Sequence, residues 1–228
     1  MEIWDRLIKC KDEIISILDR DCEEYSEAGM EKFNKESWTN RTWKNKKVRR
    51  VHFEIVDARD TRGQYMLHLS LFPNLTNSGP IYGWVAIAGK NKVRYFHDYS
   101  PLLVKEHSLS KYFIEESIWF KPSKPRKRAA WATEIFSEGV ISGGNIKDEK
   151  EINQICTLAT SNLESYLDKI SDFDGDSNKN DVIKGQNFYC ESFQNQQQNP
   201  HTPSVLQSLG LPEEDVTTFC ADNLFPKI

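Results

Sequence analysis

This chain lacks most of the features by which a cofactor enzyme announces itself. There is no G-x-G-x-x-G after a strand pattern, no P-loop, no G-x-S-x-G and no H-E-x-x-H, which removes the common dinucleotide, nucleoside-triphosphate, serine-hydrolase and zinc-protease signatures. Cysteines are few. Cys10, Cys22, Cys156, Cys190 and Cys220 are odd in number, scattered and never in a C-x-x-C pair, which argues against a disulfide framework, a zinc site or an iron–sulfur cluster. Reduced thiols and a cytoplasmic location are expected. No apolar run approaches the roughly 20 residues that a membrane helix needs. The opening Met1-Glu2-Ile3-Trp4-Asp5 has no basic region followed by an apolar core, so no signal peptide is expected. A net charge of -4 and a pI ≈ 5.8 argue against a nucleic-acid partner held by bulk electrostatics. The acidic loop Asp172, Asp174, Asp176 has Ser177 where a calcium loop turns on Gly and Ile183 where it needs a bidentate Glu. It reads as solvated loop, with no metal.

What is present is a globular composition. The 228 residues are 38% hydrophobic and 28% charged, with 12 Phe, 8 Tyr and 6 Trp, enough for one well-buried domain spanning 1–228. Residues 3–26 carry Trp4, Leu7, Ile8, Ile14, Ile15 and Leu18 at helical spacing, which predicts an amphipathic surface helix. From Val48 the period changes. Val48–Val56, Gln64–Phe72, Ile81–Ala88 and Lys92–His97 are β-rich runs with short polar links, which predicts an antiparallel meander. Helices are expected again over 149–170, 182–198, 202–209 and 213–219. The order helix, sheet, helices gives an α+β fold.

Strand alternation narrows the chemistry. His52 and Glu54 share one face of their strand, and Met66, His68, Ser70 and Phe72 share one face of the next. If these strands form a hairpin, Glu54 meets His68. A carboxyl and an imidazole held together suit proton transfer near neutral pH, and serve equally as a structural pair. Two basic clusters stand out: Arg41, Lys44, Lys46, Lys47, Arg49 and Arg50, then Lys121, Lys124, Arg126, Lys127 and Arg128. Each is either solvated surface or a docking site for an acidic partner.

Arg50-Val51-His52-Phe53-Glu54, Leu67-His68, Phe72-Pro73, Gly79-Pro80-Ile81-Tyr82-Gly83 and Asp98-Tyr99-Ser100-Pro101 jointly resemble the central sheet of the ferredoxin-dependent bilin reductases. Trp131-Ala132-Thr133-Glu134-Ile135-Phe136-Ser137, Gly185-Gln186-Asn187-Phe188-Tyr189-Cys190 and Gln196-Gln197-Gln198-Asn199 with Thr202 resemble the family's phycocyanobilin-forming branch. The resemblance covers about Arg49 to Phe225. It implies a three-layer α/β/α sandwich with a central antiparallel sheet, and biliverdin held between sheet and C-terminal helices. Electrons would come singly from external ferredoxin, with no bound cofactor, and the product would be phycocyanobilin or phycoerythrobilin. It implies His68 and Glu54 as the catalytic pair, and His52, Val85, Ile87, Asn199 and His201 as substrate contacts. Lys46, Lys47, Arg49, Lys121, Lys124 and Arg126 would receive ferredoxin, and the chain would act as a monomer. Two departures matter. The family usually carries an aspartate two residues after the Gly of Tyr82-Gly83, and here that place is Val85; a second family aspartate falls on Pro200, and the neighbouring basic residue on His201. Valine has no proton to give, so the alternative reading is an impaired homologue that binds bilin as a carrier or sensor.

Overall fold

Val48 to Ser100 fold as sequential hairpins because each β-rich run ends in a short turn that can only reverse the chain. The computed structural model describes residues 3–102, 107–128, 130–175, 177–194 and 201–228. Its strands are β1 (Glu23–Tyr25), β2 (Trp38–Lys44), β3 (Val48–Ala58), β4 (Gln64–Pro73), β5 (Ile81–Gly89), β6 (Lys92–Ser100) and β7 (Ile141–Ile146). All pair antiparallel with their sequence neighbours, giving the order β1-β2-β3-β4-β5-β6-β7. The helices are α1 (Ile3–Asp21), α2 (Arg59–Arg62), α3 (Ser108–Ser117), α4 (Ala132–Ile135), α5 (Glu149–Lys169), α6 (Lys179–Gln194), α7 (His201–Ser208) and α8 (Glu213–Asp222).

The expected meander is present, with strands running one to three residues longer than the patterns suggest. The first helix is shorter than the expected 3–26. It stops at Asp21, and Glu23–Tyr25 cross to pair with β2, placing Glu23 opposite Lys44, a favourable cross-strand charge pair. The expected helix over 182–198 begins earlier, at Lys179, and is described to Gln194. The strands β2 and β7 and the helix α3 have no counterpart in the sequence reading. β7 holds Gly143 because a Cβ there would lie 2.5 Å from the Tyr95 ring on the neighbouring strand.

Helices cover both faces of the sheet. On one, Leu7, Ile14 and Leu18 of α1, Phe113 of α3, and Ile155, Leu163 and Tyr166 of α5 pack on Phe53, Leu67, Leu69, Trp84 and Tyr99. On the other, Tyr189 of α6, Leu206 of α7, and Val216 and Phe219 of α8 pack against Val56, Met66, Phe72 and Ile81. The architecture is therefore the three-layer α/β/α sandwich that the resemblance implies. Burial on both sides explains why β4 is buried along nearly its whole length, where a sheet with one wet face would alternate.

Candidate functional site

Register builds the site. Asn40 stands opposite Glu54, Glu54 opposite His68, His68 opposite Val85, and Val85 opposite Phe96. One row thus crosses β2 to β6 on the face beneath the C-terminal helices. His68 Nδ1 lies 3.4 Å from Glu54 Oε2, and Trp38 Nε1 donates to Glu54 Oε1 at 2.9 Å. Glu54 is buried and His68 is 9% exposed. The carboxylate therefore has one oxygen fixed by an indole and the other turned to the imidazole at ion-pair distance, which orients the ring toward the cavity.

A cavity of about 180 Å³ opens above this row. Glu54, Met66, His68, Val85 and Ile87 form its floor, Phe193, Thr202, Val205, Leu206 and Phe225 its roof, and Arg126 one wall. The roof aromatics stack, with Phe193 and Phe225 centroids 4.4 Å apart, and Phe225 meets the His68 ring edge-to-face at 5.6 Å. Drug-sized ligands occupy pockets of about 300–1,000 Å³, so the two phenyl rings must part for a larger guest. Phe225 is held from behind: Arg50, 2% exposed, pairs with Glu27 and donates to the carbonyls of Asn223 and Leu224.

The remaining expected contacts divide. Val85 and Ile87 line the cavity. His52 lies outside the lining; fully buried, its Nε2 is 3.0 Å from Asn40 Oδ1 and its ring is edge-on to His68 at 6.4 Å. Burial, then Arg50 and His68, hold its pKa well below the ordinary imidazole value, so it is neutral. Asn199 lies outside the described residues, as do Pro200 and the side chain of His201.

The two basic clusters differ sharply. In the first, Arg41 pairs with Glu24 and Asp19, and Lys47 donates to the Leu167 carbonyl. Arg49 turns inward, donating to Gln186 and lying over the Phe72 ring, and burial lowers its pKa to about 10. Lys46 stays exposed. In the second cluster Lys121, Lys124, Arg126, Lys127 and Arg128 are all exposed, and no described carboxylate pairs with any of them.

Sequence reasoning missed Asp98, Phe193 and Phe225. Asp98 is fully buried on the site's face, one row along, opposite Gly83. It accepts from Ser100 Oγ at 2.8 Å and from the Ser137 amide at 2.9 Å, and also from the Ser137 hydroxyl. This ties β6 to the segment carrying Trp131 and Phe136, both of which pack on Phe193. Burial raises the Asp98 pKa to about 6 despite those donors. Alternation along β6 was the available signal, since a carboxyl flanked by Tyr99 and His97 on the opposite, apolar face has to point under α6.

A search of curated proteins found no match. Among solved structures, that of PcyX is 45% identical, with 97% of this chain and 99% of that chain covered and a TM-score of 0.75. Phytochromobilin synthase from tomato, in complex with biliverdin, is 14% identical over 90% of this chain and 79% of that one, with a TM-score of 0.71; at that identity the likeness is one of fold. The model of the family described as ferredoxin-dependent bilin reductase matches residues 15–225. With nearly the whole chain matched, this protein belongs to the ferredoxin-dependent bilin reductases.

Proposed function

We propose that the chain reduces biliverdin IXα to a phycobilin, phycocyanobilin or phycoerythrobilin, by alternating single electrons from reduced ferredoxin with protons from pocket side chains. The observation that carries this reading is the Glu54–His68 pair, 3.4 Å apart on the cavity floor. His68 gives the first proton to the ligand, is left as neutral imidazole beside the Glu54 carboxylate, and is reprotonated from water, while Glu54, held by Trp38, orients its ring. Val85 gives the tetrapyrrole an apolar seat in place of a carboxyl, so His68 carries the load an aspartate would share. Arg126, on the cavity wall, is placed to meet a ligand carboxylate. Ferredoxin is received at the exposed Lys121, Lys124 and Arg126 rather than at Lys47 and Arg49, which are half-buried, Arg49 being turned inward onto Gln186.

The test is anaerobic turnover of biliverdin with reduced ferredoxin and chromatographic separation of products. His68→Gln is expected to bind biliverdin with an unchanged spectrum shift and to lose about 100- to 10,000-fold in rate, the usual worth of a positioned proton donor. Val85 also favours a second reading, a homologue that binds bilin without reducing it. A wild type that binds biliverdin but does not turn over, while Val85→Asp does, would establish that reading instead.

A further inference from the structure

We infer that Ile118 and Trp119, at the end of α3, form the apolar anchor on which the acidic electron carrier docks, ringed by the cations at Lys121, Lys124, Arg126, Lys127 and Arg128. The inference rests on the ferredoxin-dependent reading above and adds to it a location and an anchor.

Ile118 is 70% exposed and Trp119 is 51% exposed, the two barest large apolar side chains among the described residues. They are neighbours, and Trp119 leans edge-on against Phe120, which is 6% exposed, with centroids 5.8 Å apart. The indole therefore stands on a buried base with one face to solvent. A single bare apolar residue is ordinary, but two beside a cationic patch have the composition of an interface centre with a charged rim.

The platform is rigid. Pro125 bridges to Gly143, the Arg126 amide donates to the Ser142 carbonyl, and the Gly144 amide donates to the Lys124 carbonyl, so the segment adds itself to the β7 edge. The Lys124 ammonium and the Arg128 guanidinium are further tied to the carbonyls of Asn145 and Ser137. Charges fixed before the partner arrives lose less freedom on binding. Lysine on a sheet edge also guards against unwanted strand addition. That accounts for the charge alone and leaves Ile118 and Trp119 unexplained.

The partner's chemistry follows from the field. The chain carries -4 overall, so an acidic protein is drawn to a local cluster of exposed cations such as this one rather than to the surface at large. Glu138 is the one carboxylate among the residues lining the groove of about 380 Å³ that runs between Ile118 and Arg128. The groove beside Ile118 and the bilin cavity thus share Arg126 as a common wall.

The experiment titrates biliverdin-loaded protein with a [2Fe–2S] ferredoxin of net negative charge by calorimetry, at low and high salt. The pair of changes Ile118→Ser and Trp119→Ala is expected to weaken binding about 30-fold, as truncation of an interface hot spot does, while the biliverdin spectrum is unchanged. That loss persists at high salt, whereas the loss from Lys121→Glu with Lys124→Glu shrinks as salt screens it. Phe188→Ala, which removes an equally bare aromatic elsewhere, leaves ferredoxin binding as in wild type. A double variant within twofold of wild type, or an equal loss from Phe188→Ala, overturns the anchor while leaving the ferredoxin reading intact. A wild type that binds biliverdin and no ferredoxin overturns both.

Discussion

Replacing Asp98 by Asn changes how the protein's stability depends on pH, by an amount that the structure sets. Asp98 is fully buried, and burial lifts its pKa from 3.8 to about 6 against the pull of Ser137 and Ser100. The folded state therefore binds the proton more tightly than the unfolded chain, and stability from this group grows as pH falls from about 6 to 3.8 and is constant below. The gap corresponds to about 3 kcal/mol over the whole window, of which about 2 kcal/mol has developed by pH 4.5. His97 works in the opposite direction. Burial depresses its pKa from 6.5 to about 4, so its contribution is lost as pH falls through that range, and His52 adds to the loss. The asparagine side chain keeps one acceptor oxygen and offers an amide N–H that the Ser137 hydroxyl can accept, so the loop stays attached. Urea unfolding of both proteins between about pH 4.5 and pH 8 isolates the Asp98 contribution as a difference. Wild type gains about 2 kcal/mol on the variant towards acid, and the variant, relieved of a buried charge, falls more steeply in acid through His97 and His52. Parallel curves would mean that three donors hold the Asp98 carboxylate at an ordinary pKa, and the reasoning would fail.

Glu54→Gln keeps the Trp38 hydrogen bond but removes the carboxylate oxygen that faces His68, and is expected to alter which vinyl group or bridge is reduced, read from the product chromatogram. Charge reversal at Lys121 and Lys124, which lie outside the bilin cavity, should slow ferredoxin-driven reduction in a salt-dependent way, with Lys46→Glu near wild type; equal effects at both places would dismiss the distinction between the clusters. Phe193→Ala opens the cavity roof, so biliverdin should enter and leave faster in stopped-flow absorption; unchanged rates would show that the Phe193–Phe225 stack is no barrier.

Much of the reactive row was legible because strand alternation is a strict period. Glu54 and His68 face each other as alternation and a hairpin require. The same alternation, applied one step further, places Arg50 on the interior face with His52 and Glu54, although it reads as surface charge when counted only as part of a basic run. β2 escaped notice because its inward residues, Asn40 and Thr42, are polar and serve His52 and the β1 edge, so no hydrophobic period exists there. β7 escaped because Ser142, Gly143, Gly144 and Asn145 have poor strand propensity and are held by their neighbours. The roof could not be read at all: Phe193 and Phe225 meet only through the packing of α6 against the C-terminal tail, which no local pattern encodes.

The reactive row runs across the strands, and this decides where the chain can change length. Turns between strands hold none of the row. At Arg59–Gly63, where Gly63 takes a left-handed φ of 63° and a Cβ would meet nothing within 4 Å, residues can be added with every pairing preserved. One residue added within β4 between Met66 and His68 would instead rotate all that follows in that strand to the opposite face, turning His68 toward α1 and α5 and bringing leucines to the cavity. Relatives of this protein are accordingly expected to differ in length at their hairpin ends and to keep the span from Val51 to Val56 and from Leu67 to Leu71 free of gaps.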